Sequence, residues 1–266
     1  MNASPIGIFD SGIGGLTVVR AVYERLPGES TVYFGDTARV PYGPKSPETV
    51  TRYSLEILDW LLKQGVKAVV IACNTSTAHA LETLQRQSPV PVIGVIEPGA
   101  RAAAAGSRGG PIGVIGTAGT IASNAYARAI QRSRAGVKVE QKACPLFVPL
   151  VEEGWFDHPA AELIAREYLE PLRSANVDTL VLGCTHYPLL KQLLQRVVGA
   201  DVRLIDSGEE TAAAVQEALA SAGLQAPEDT KPTHRFAVSD DEGRFRQVGA
   251  RFIGERMGRA EVVPLS

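Results

Sequence analysis

The segments IACNT at residues 71–75 and LGCTH at residues 182–186 each place a cysteine where an apolar run gives way to polar residues. A second pair of segments, GIFDSG at 7–12 and GVIGTA at 113–118, precedes them in the same order. The offset is 106 residues from 7 to 113 and 111 residues from 73 to 184. This recurrence predicts a duplicated α/β lobe. The alternative is coincidence, since any two strand–helix units share apolar strands and small turn residues.

Short β-branched runs alternate with helical patterns around these segments. Buried strands are predicted at residues 6–10, 31–36, 68–72 and 92–95. Helices are predicted between them at residues 16–26, 47–64 and 76–87, the second with Ser46 as its N-cap and Pro47 in its first turn. The alternation predicts an α/β fold of two pseudo-symmetric, doubly wound lobes with mostly parallel sheets.

Two crossings between the lobes are predicted. The first is the alanine- and glycine-rich stretch 97–110, and the second lies near residues 205–207. Ser207 and Glu210 form an S-x-x-E pattern that predicts a capping box at the start of the next helix. We therefore expect a discontinuous first lobe of residues 1–97 plus 207–266 and a second lobe of residues 98–206.

Composition narrows the class of protein. Among 266 residues, 45% are hydrophobic and 21% charged, with a net charge of −2 and no basic run. This predicts a soluble globular protein and argues against nucleic acid or an anionic membrane as partner. No apolar stretch is long enough to span a membrane, and the first residues lack a signal-peptide pattern.

The cysteines and histidines argue against a disulfide-stabilised fold and against a metal site. Three cysteines, an odd and sparse set, do not form a disulfide framework and fit a reducing cytoplasm. No C-x-x-C occurs, and the four histidines have no metal-binding spacing, so no metal site is predicted.

The segment DSGIGG at residues 10–15 follows the first predicted strand. Its glycines allow a tight turn, and the helix N-terminus behind it offers unpaired N–H groups to a carboxylate or phosphate. A dinucleotide fingerprint fails because Thr17 stands at the third glycine, and Lys45 follows proline rather than glycine, which excludes a Walker A loop. Asp10 lies at a strand's carboxyl end, where α/β ligand sites occur. The alternative is a plain tight turn.

Cys73 and Cys184 each lie where a buried strand meets helix-starting residues. A helix N-terminus is expected to lower the pKa of such a thiol towards neutrality. Cysteine is often simply buried, but two at matched strand ends favour a function. A carbon centre is inverted when a proton is removed from one face and another proton is returned to the opposite face. Two thiols on opposite sides of a substrate carbon would therefore be an acid/base pair for this reaction. Asp10 and His186 are candidates to tune or relay these protons.

Other polar groups follow the predicted strands. Asp36 ends the second strand, and the loop 40–44 behind it is expected to hold an acid group through its backbone N–H groups and Tyr42, unless it is only a rigid turn. Glu152 is a candidate acid in the second lobe, or part of a solvated helix start. Cys144 has no matching partner and is predicted to be structural. Because these motifs contain almost no Lys or Arg, an amino-acid carboxylate suits them better than a phosphate.

Four segments, residues 10–15, 41–43, 72–75 and 183–188, resemble bacterial glutamate racemases of the aspartate/glutamate racemase family. The resemblance covers residues 5 to about 220. It implies two lobes facing each other across a cleft that holds the active site, and cofactor-free interconversion of L- and D-glutamate. It also implies a cytoplasmic homodimer that supplies D-glutamate for peptidoglycan.

The resemblance assigns roles to individual residues. Cys73 serves the D-enantiomer and Cys184 the L-enantiomer, assisted by Asp10, Glu152 and His186. The implied substrate contacts are Asp10, Ser11, Pro41, Tyr42, Gly43, Asn74, Thr75, Thr117, Thr185 and His186. Aspartate racemases usually have Glu in place of His186, so the histidine favours glutamate.

Three alternatives remain at this point. The chain is another two-cysteine racemase or isomerase acting on aspartate, a hydantoin or maleate; a two-lobed amino-acid binding protein without chemistry; or a thiol oxidoreductase. The last requires two cysteines within disulfide reach, with Cα atoms less than about 7 Å apart.

Overall fold

The computed structural model describes residues 1–265. In chain order its strands are β1 (Ile6–Asp10), β2 (Thr31–Gly35), β3 (Ala68–Ile71), β4 (Val92–Gly94), β5 (Ile112–Gly116), β6 (Val139–Ala143), β7 (Thr179–Gly183), β8 (Arg203–Asp206), β9 (His234–Val238) and β10 (Ala260–Val262). Its α-helices are α1 (Leu16–Arg25), α2 (Pro47–Lys63), α3 (Asn74–Gln87), α4 (Ile96–Gly106), α5 (Ala118–Ala122), α6 (Ala125–Ser133), α7 (Phe147–Glu152), α8 (Pro159–Ser174), α9 (Lys191–Val198), α10 (Ser207–Ser221) and α11 (Glu242–Ile253).

Two parallel sheets organise these elements. The larger has the order β10-β9-β2-β1-β3-β4 and the smaller the order β6-β5-β7-β8. Every paired strand is parallel to its neighbour. The predicted parallel α/β fold is therefore confirmed. The order β2-β1-β3-β4 repeats as β6-β5-β7-β8, which is the duplication that the matched segments predicted.

The duplication explains why the candidate residues follow equivalent strands. Asp10 is the last residue of β1, and Cys73 follows β3; in the smaller sheet, Thr117 follows β5 and Cys184 follows β7. In each sheet these two strands are neighbours. Because the carboxyl ends of parallel strands lie at one edge, each pair of segments meets at the same rim.

Helices α4 and α10 lie between the two sheets. They pack against each other, and α10 also packs on α1 while α4 packs on α6 and β7. One continuous hydrophobic cluster runs from Ile8 and Val70 in the larger sheet to Val114 and Val181 in the smaller one. The two sheets are thus joined through a shared core.

For the seven elements whose bounds were predicted, all between residues 6 and 95, every boundary except the start of α3 agrees with the structure to within one residue. Ser46 accepts the N–H of Thr49, as predicted for the N-cap of α2. Most of the stretch 97–110 is the helix α4, which connects β4 of the larger sheet to β5 of the smaller one. One prediction at the second crossing was wrong. The capping box is absent from α10, whose N-cap is Asp206 with its carboxylate accepting the N–H of Gly208 at 2.8 Å.

No helix among the residues that the structure describes is long and apolar enough to cross a membrane.

Candidate active site

Cys73 is the N-cap of α3, which begins two residues earlier than predicted. The thiol is buried, accepts the N–H of Ser76 at 3.4 Å and donates towards the hydroxyl of Ser11 at 3.6 Å. Burial and the charge of Asp10 raise the pKa of Cys73 to about 11, outweighing these hydrogen bonds, which lower it. The prediction of a thiol pKa near neutrality is therefore wrong for Cys73, because desolvation exceeds the effect of the helix N-terminus. At neutral pH Cys73 is a protonated thiol.

Cys184 lies in a different electrostatic environment at the end of β7. Its neighbour His186 is 4% exposed, and the ring Nε2 lies 3.1 Å from Oε1 of Glu152. Burial alone would lower the pKa of His186, but hydrogen bonds and charge interactions with Cys184 and Glu152 outweigh it and raise that pKa to about 10. The imidazolium therefore persists through the neutral range beside Cys184. One thiol is held neutral, and the other faces a cation.

The loop after β1 connects the two cysteine segments. Ser11 contacts Cys73, and the adjacent Asp10 accepts a hydrogen bond from the hydroxyl of Thr185 at 3.4 Å. Thr17, at the start of α1, donates to the carbonyl of Thr185 at 3.0 Å. Consecutive residues of one tight loop thus contact both segments, which brings the sites of Cys73 and Cys184 together.

Asp10 is a buried carboxylate within this loop. Its Oδ2 accepts the N–H of Gly12 at 3.0 Å. Burial raises the pKa of Asp10, opposed by the positive charge of His186 and by hydrogen bonds from the Gly15 and Gly12 amides and from Thr185. The charge of Asp10 raises the pKa of Cys73, and Asp10 also interacts with the charge of His186, the neighbour of Cys184. It therefore affects the surroundings of both thiols.

Hydroxyl groups meet where α3 faces the start of α5. The hydroxyls of Thr75 and Thr117 are 2.8 Å apart, and Thr117 donates to Thr120 at 3.0 Å. Thr117 is also the N-cap of α5. Sequence reasoning missed Thr120, although its spacing of three from an N-cap threonine was a usable signal.

Asn74 offers donors for an anion. Its amide oxygen accepts from the hydroxyl of Tyr126 at 2.7 Å, while its Nδ2 is buried with no hydrogen-bond partner. The N–H groups of Asn74 and Thr75 belong to the first turn of α3, where no intrahelical acceptor exists. These groups suit a carboxylate. Tyr126 was missed because nothing in its local pattern indicates that it orients Asn74.

The loop 40–44 is held by a buried polar network. The Val40–Pro41 peptide is cis. Tyr42 donates its hydroxyl to Asp36, which also accepts from Arg39 at 2.7 Å and from Ser239 at 2.8 Å. The tyrosine hydroxyl is thus already engaged, so we expect this loop to contact a ligand through its backbone N–H groups. The same rim continues at Gly43, whose carbonyl accepts the N–H of Gly119 at 2.9 Å.

Cys144 is fully buried, and burial raises the pKa of its thiol to about 12. Its carbonyl accepts the hydroxyl of Tyr187 at 2.9 Å. Its structural role stays a prediction. Within residues 1–265, no cluster of three His, Cys, Asp or Glu side chains is placed to hold a metal ion.

Gly14 has no room for a side chain, because a Cβ atom there would overlap His186 and Thr185. We expect Gly14→Ala to displace both residues and to lower kcat/KM about 100-fold, the effect of a misplacement of roughly 1 Å at a reacting centre. The matched control is Gly28→Ala, where a Cβ meets nothing within 4 Å. Steady-state kinetics of the two variants in glutamate racemisation, the activity that the resemblance implies, check this expectation. Equal activity would mean that His186 tolerates the displacement.

The chain combines a duplicated parallel α/β fold with two buried thiols at matching strand ends, and one loop contacts both cysteine segments. A family model described as Asp/Glu/Hydantoin racemase matches residues 14–218. The chain belongs to this family, and the resemblance carried by the four sequence segments is confirmed.

Individual relatives agree over nearly the full length. The glutamate racemase of Geobacter metallireducens is 57% identical over 260 residues, covering 98% of this chain and 96% of that protein. The crystal structure of a glutamate racemase isoform from Bacillus anthracis superposes with a TM-score of 0.94 at 41% identity, covering 100% of this chain and 98% of that one. The glutamate racemase of Francisella tularensis in complex with D-glutamate gives a TM-score of 0.93 at 39% identity, covering 100% and 99%.

Proposed function

We propose that this chain interconverts L- and D-glutamate by proton transfer between the substrate α-carbon and two thiols. Family membership and the near full-length similarity to glutamate racemases support the reaction and the substrate. The observation that carries the mechanism is the difference in surroundings between the two thiols at matched strand ends. Cys73 is neutral at physiological pH, and Cys184 lies beside the imidazolium of His186.

The proposed step with L-glutamate uses both states. The thiolate of Cys184 takes the α-proton, breaking the C–H bond, and Cys73 donates its proton to the opposite face to form the new one. The product is D-glutamate, with the proton now on Cys184 and the thiolate on Cys73. D-Glutamate reverses these roles. Acid and base both come from the protein, so the step requires no cofactor.

Neighbouring groups support this transfer. His186 and Glu152 stabilise the thiolate of Cys184, and Asp10 keeps Cys73 protonated until the substrate arrives. The substrate's charged groups are held by the hydroxyls of Ser11 and Thr185 and by the donors of Asn74, Thr75 and Thr117. The backbone N–H groups of Tyr42 and Gly43 add to these in the loop that Pro41 shapes. The cleft lies between a lobe of residues 1–97 plus 207–266 and a lobe of residues 98–206. We further propose a cytoplasmic homodimer that supplies D-glutamate for peptidoglycan, as the family resemblance implies.

Purified protein incubated with L-glutamate in D2O, without added cofactor or metal, tests the proposal. We expect loss of optical rotation together with deuterium at the α-carbon, since solvent-exchanged thiols deliver the returning proton. Activity with L-aspartate alone would keep the mechanism and change the substrate. Binding of glutamate without either signal would favour the amino-acid binding protein and contradict the proposal.

A further inference from the structure

We propose that α11 is a positioning element for the Glu152–His186 pair and that Arg244 is its principal residue. The inference rests on the proposed function, because it concerns the group that assists Cys184. Helix α11 follows β9 of the larger sheet, whereas Glu152 ends α7 beside the smaller sheet. The contact therefore joins parts of the molecule that belong to different sheets.

Helix α11 is anchored firmly on the side of the larger sheet. Asp241 caps it by accepting the N–H of Arg244 at 2.9 Å. Its apolar face, including Phe245 and Phe252, is buried, and the helix packs on α1. Arg20 of α1 donates to the carbonyl of Phe252 at 3.3 Å, tying the end of the helix in place. Side chains on the other face of α11 thus project from a fixed base.

Three side chains of α11 contact the Glu152–His186 pair. The guanidinium of Arg244 lies 3.3 Å from Oε2 of Glu152, the oxygen that His186 does not use. Arg251 donates to the backbone carbonyl of Glu152 at 2.5 Å. The ring of Phe252 meets that of His186 edge to face, at a centroid distance of 5.9 Å and 90°.

Glu152 needs such support because its own element is short. Helix α7 has six residues, and Glu152 is the last of them. Carbonyl groups at a helix C-terminus have no intrahelical donor, and the guanidinium of Arg251 supplies one. Arg244 pairs with Oε2 of the carboxylate and His186 with Oε1, so one oxygen is directed to the guanidinium and the other to the imidazole.

The charges around this pair predict how the removal of Arg244 acts. Glu152 faces His186, Arg244, Arg251 and the neighbouring carboxylate of Glu153, which itself lies 3.6 Å from Arg244. Burial would raise the pKa of Glu152, but His186 and Arg244 lower it. Without the guanidinium, the carboxyl is protonated at a higher pH, and His186 loses its anionic partner there. His186 also faces Cys184 and Asp10, which the substitution leaves in place.

The test compares Arg244→Met, Arg244→Lys and the control Arg246→Met in glutamate racemisation over a range of pH. Arg246 lies on the same helix, is 52% exposed against 50% for Arg244, and pairs with Glu242 at 3.7 Å. We expect Arg244→Met to lower kcat about tenfold, as for loss of one charge-assisted hydrogen bond, with little change in KM. We expect the acid limb of kcat/KM to move up by roughly 0.5–1 pH unit.

The remaining variants complete the test. Arg244→Lys keeps the charge and is expected to stay within about threefold of the parent, and Arg246→Met within about twofold. If Arg244→Met matches Arg246→Met in kcat and in its acid limb, the inference is wrong. It is equally wrong if Arg244→Met loses activity with an unmoved acid limb and no rescue by lysine, since that pattern is structural. An inactive parent protein would instead contradict the proposed function.

Discussion

Cys73→Ser and Cys184→Ser are each expected to reduce racemisation of glutamate by a factor of about 1,000 or more, within the range for loss of a general acid or base. A serine hydroxyl neither forms an anion at neutral pH nor donates a proton as readily as a thiol. Inversion requires one thiol to remove the α-proton and the other to donate a proton to the opposite face, so both thiols are necessary. Racemisation followed by circular dichroism, with each enantiomer as substrate, measures the loss.

Each serine variant retains one thiol and is expected to retain one half of the reaction. With Cys184 alone, α-deuterium should enter L-glutamate in D2O without inversion, and with Cys73 alone it should enter D-glutamate. Cys144→Ala is the control, because it removes the third buried thiol, which donates to the carbonyl of Lys142 at 3.6 Å. Racemisation at the parent rate by either serine variant would contradict the two-thiol mechanism.

Asp10→Asn is expected to change catalysis and thiol reactivity in opposite directions. Burial is the largest cause of the raised pKa of Cys73, and the charge of Asp10 is the second largest. Its removal lowers that pKa from about 11, so more thiolate is present at pH 8 and alkylation of Cys73 by iodoacetamide accelerates. Turnover should fall about 100-fold, because the proton that Cys73 must donate is less well retained and His186 loses a nearby anion.

Unfolding does not account for this expected loss. Burial raises the pKa of Asp10 in the folded protein, so the ionised carboxylate destabilises the fold once the pH exceeds its ordinary value of 3.8. Replacement by the neutral amide is therefore expected to leave the melting temperature at pH 7 unchanged or higher. Asparagine still accepts from Gly12 or Thr185, which limits the loss of hydrogen bonds.

Asp206→Asn is the matched control for this substitution. Asp206 is also a buried strand-end aspartate that accepts a backbone N–H two residues on, and its shifts do not involve Cys73. We expect it to leave turnover and the alkylation rate within about twofold of the parent. Slower alkylation of Cys73 in Asp10→Asn would mean that the aspartate does not suppress the thiolate.

Local patterns were sufficient for much of this fold. The alternation of apolar runs and amphipathic segments predicted the parallel sheets, because strand and helix periods differ and each buries a distinct set of residues. The matched segments around Cys73 and Cys184 predicted the repeated strand order. The N-cap of α2 also followed from neighbouring residues alone, with Ser46 accepting from Thr49.

One prediction was wrong because the property depends on a residue that is distant along the chain. Cys73 was expected to have a low pKa from its helix N-terminus. Instead, burial and Asp10, 63 positions earlier in the sequence, raise that pKa to about 11.

Residue types and spacings along the chain were therefore sufficient to predict the class of fold and the family, and to identify Cys73 and Cys184 as candidate site residues. The electrostatics of the site follow only from the tertiary structure. Desolvation and charge depend on distance in space, so no local pattern reveals that Cys73 is neutral while His186 carries a charge. Nor does it reveal that Arg244, 92 positions from Glu152, contacts the carboxylate that His186 requires. Folding brings these groups together because α11, which follows a strand of the larger sheet, lies beside the end of α7, which follows a strand of the smaller one.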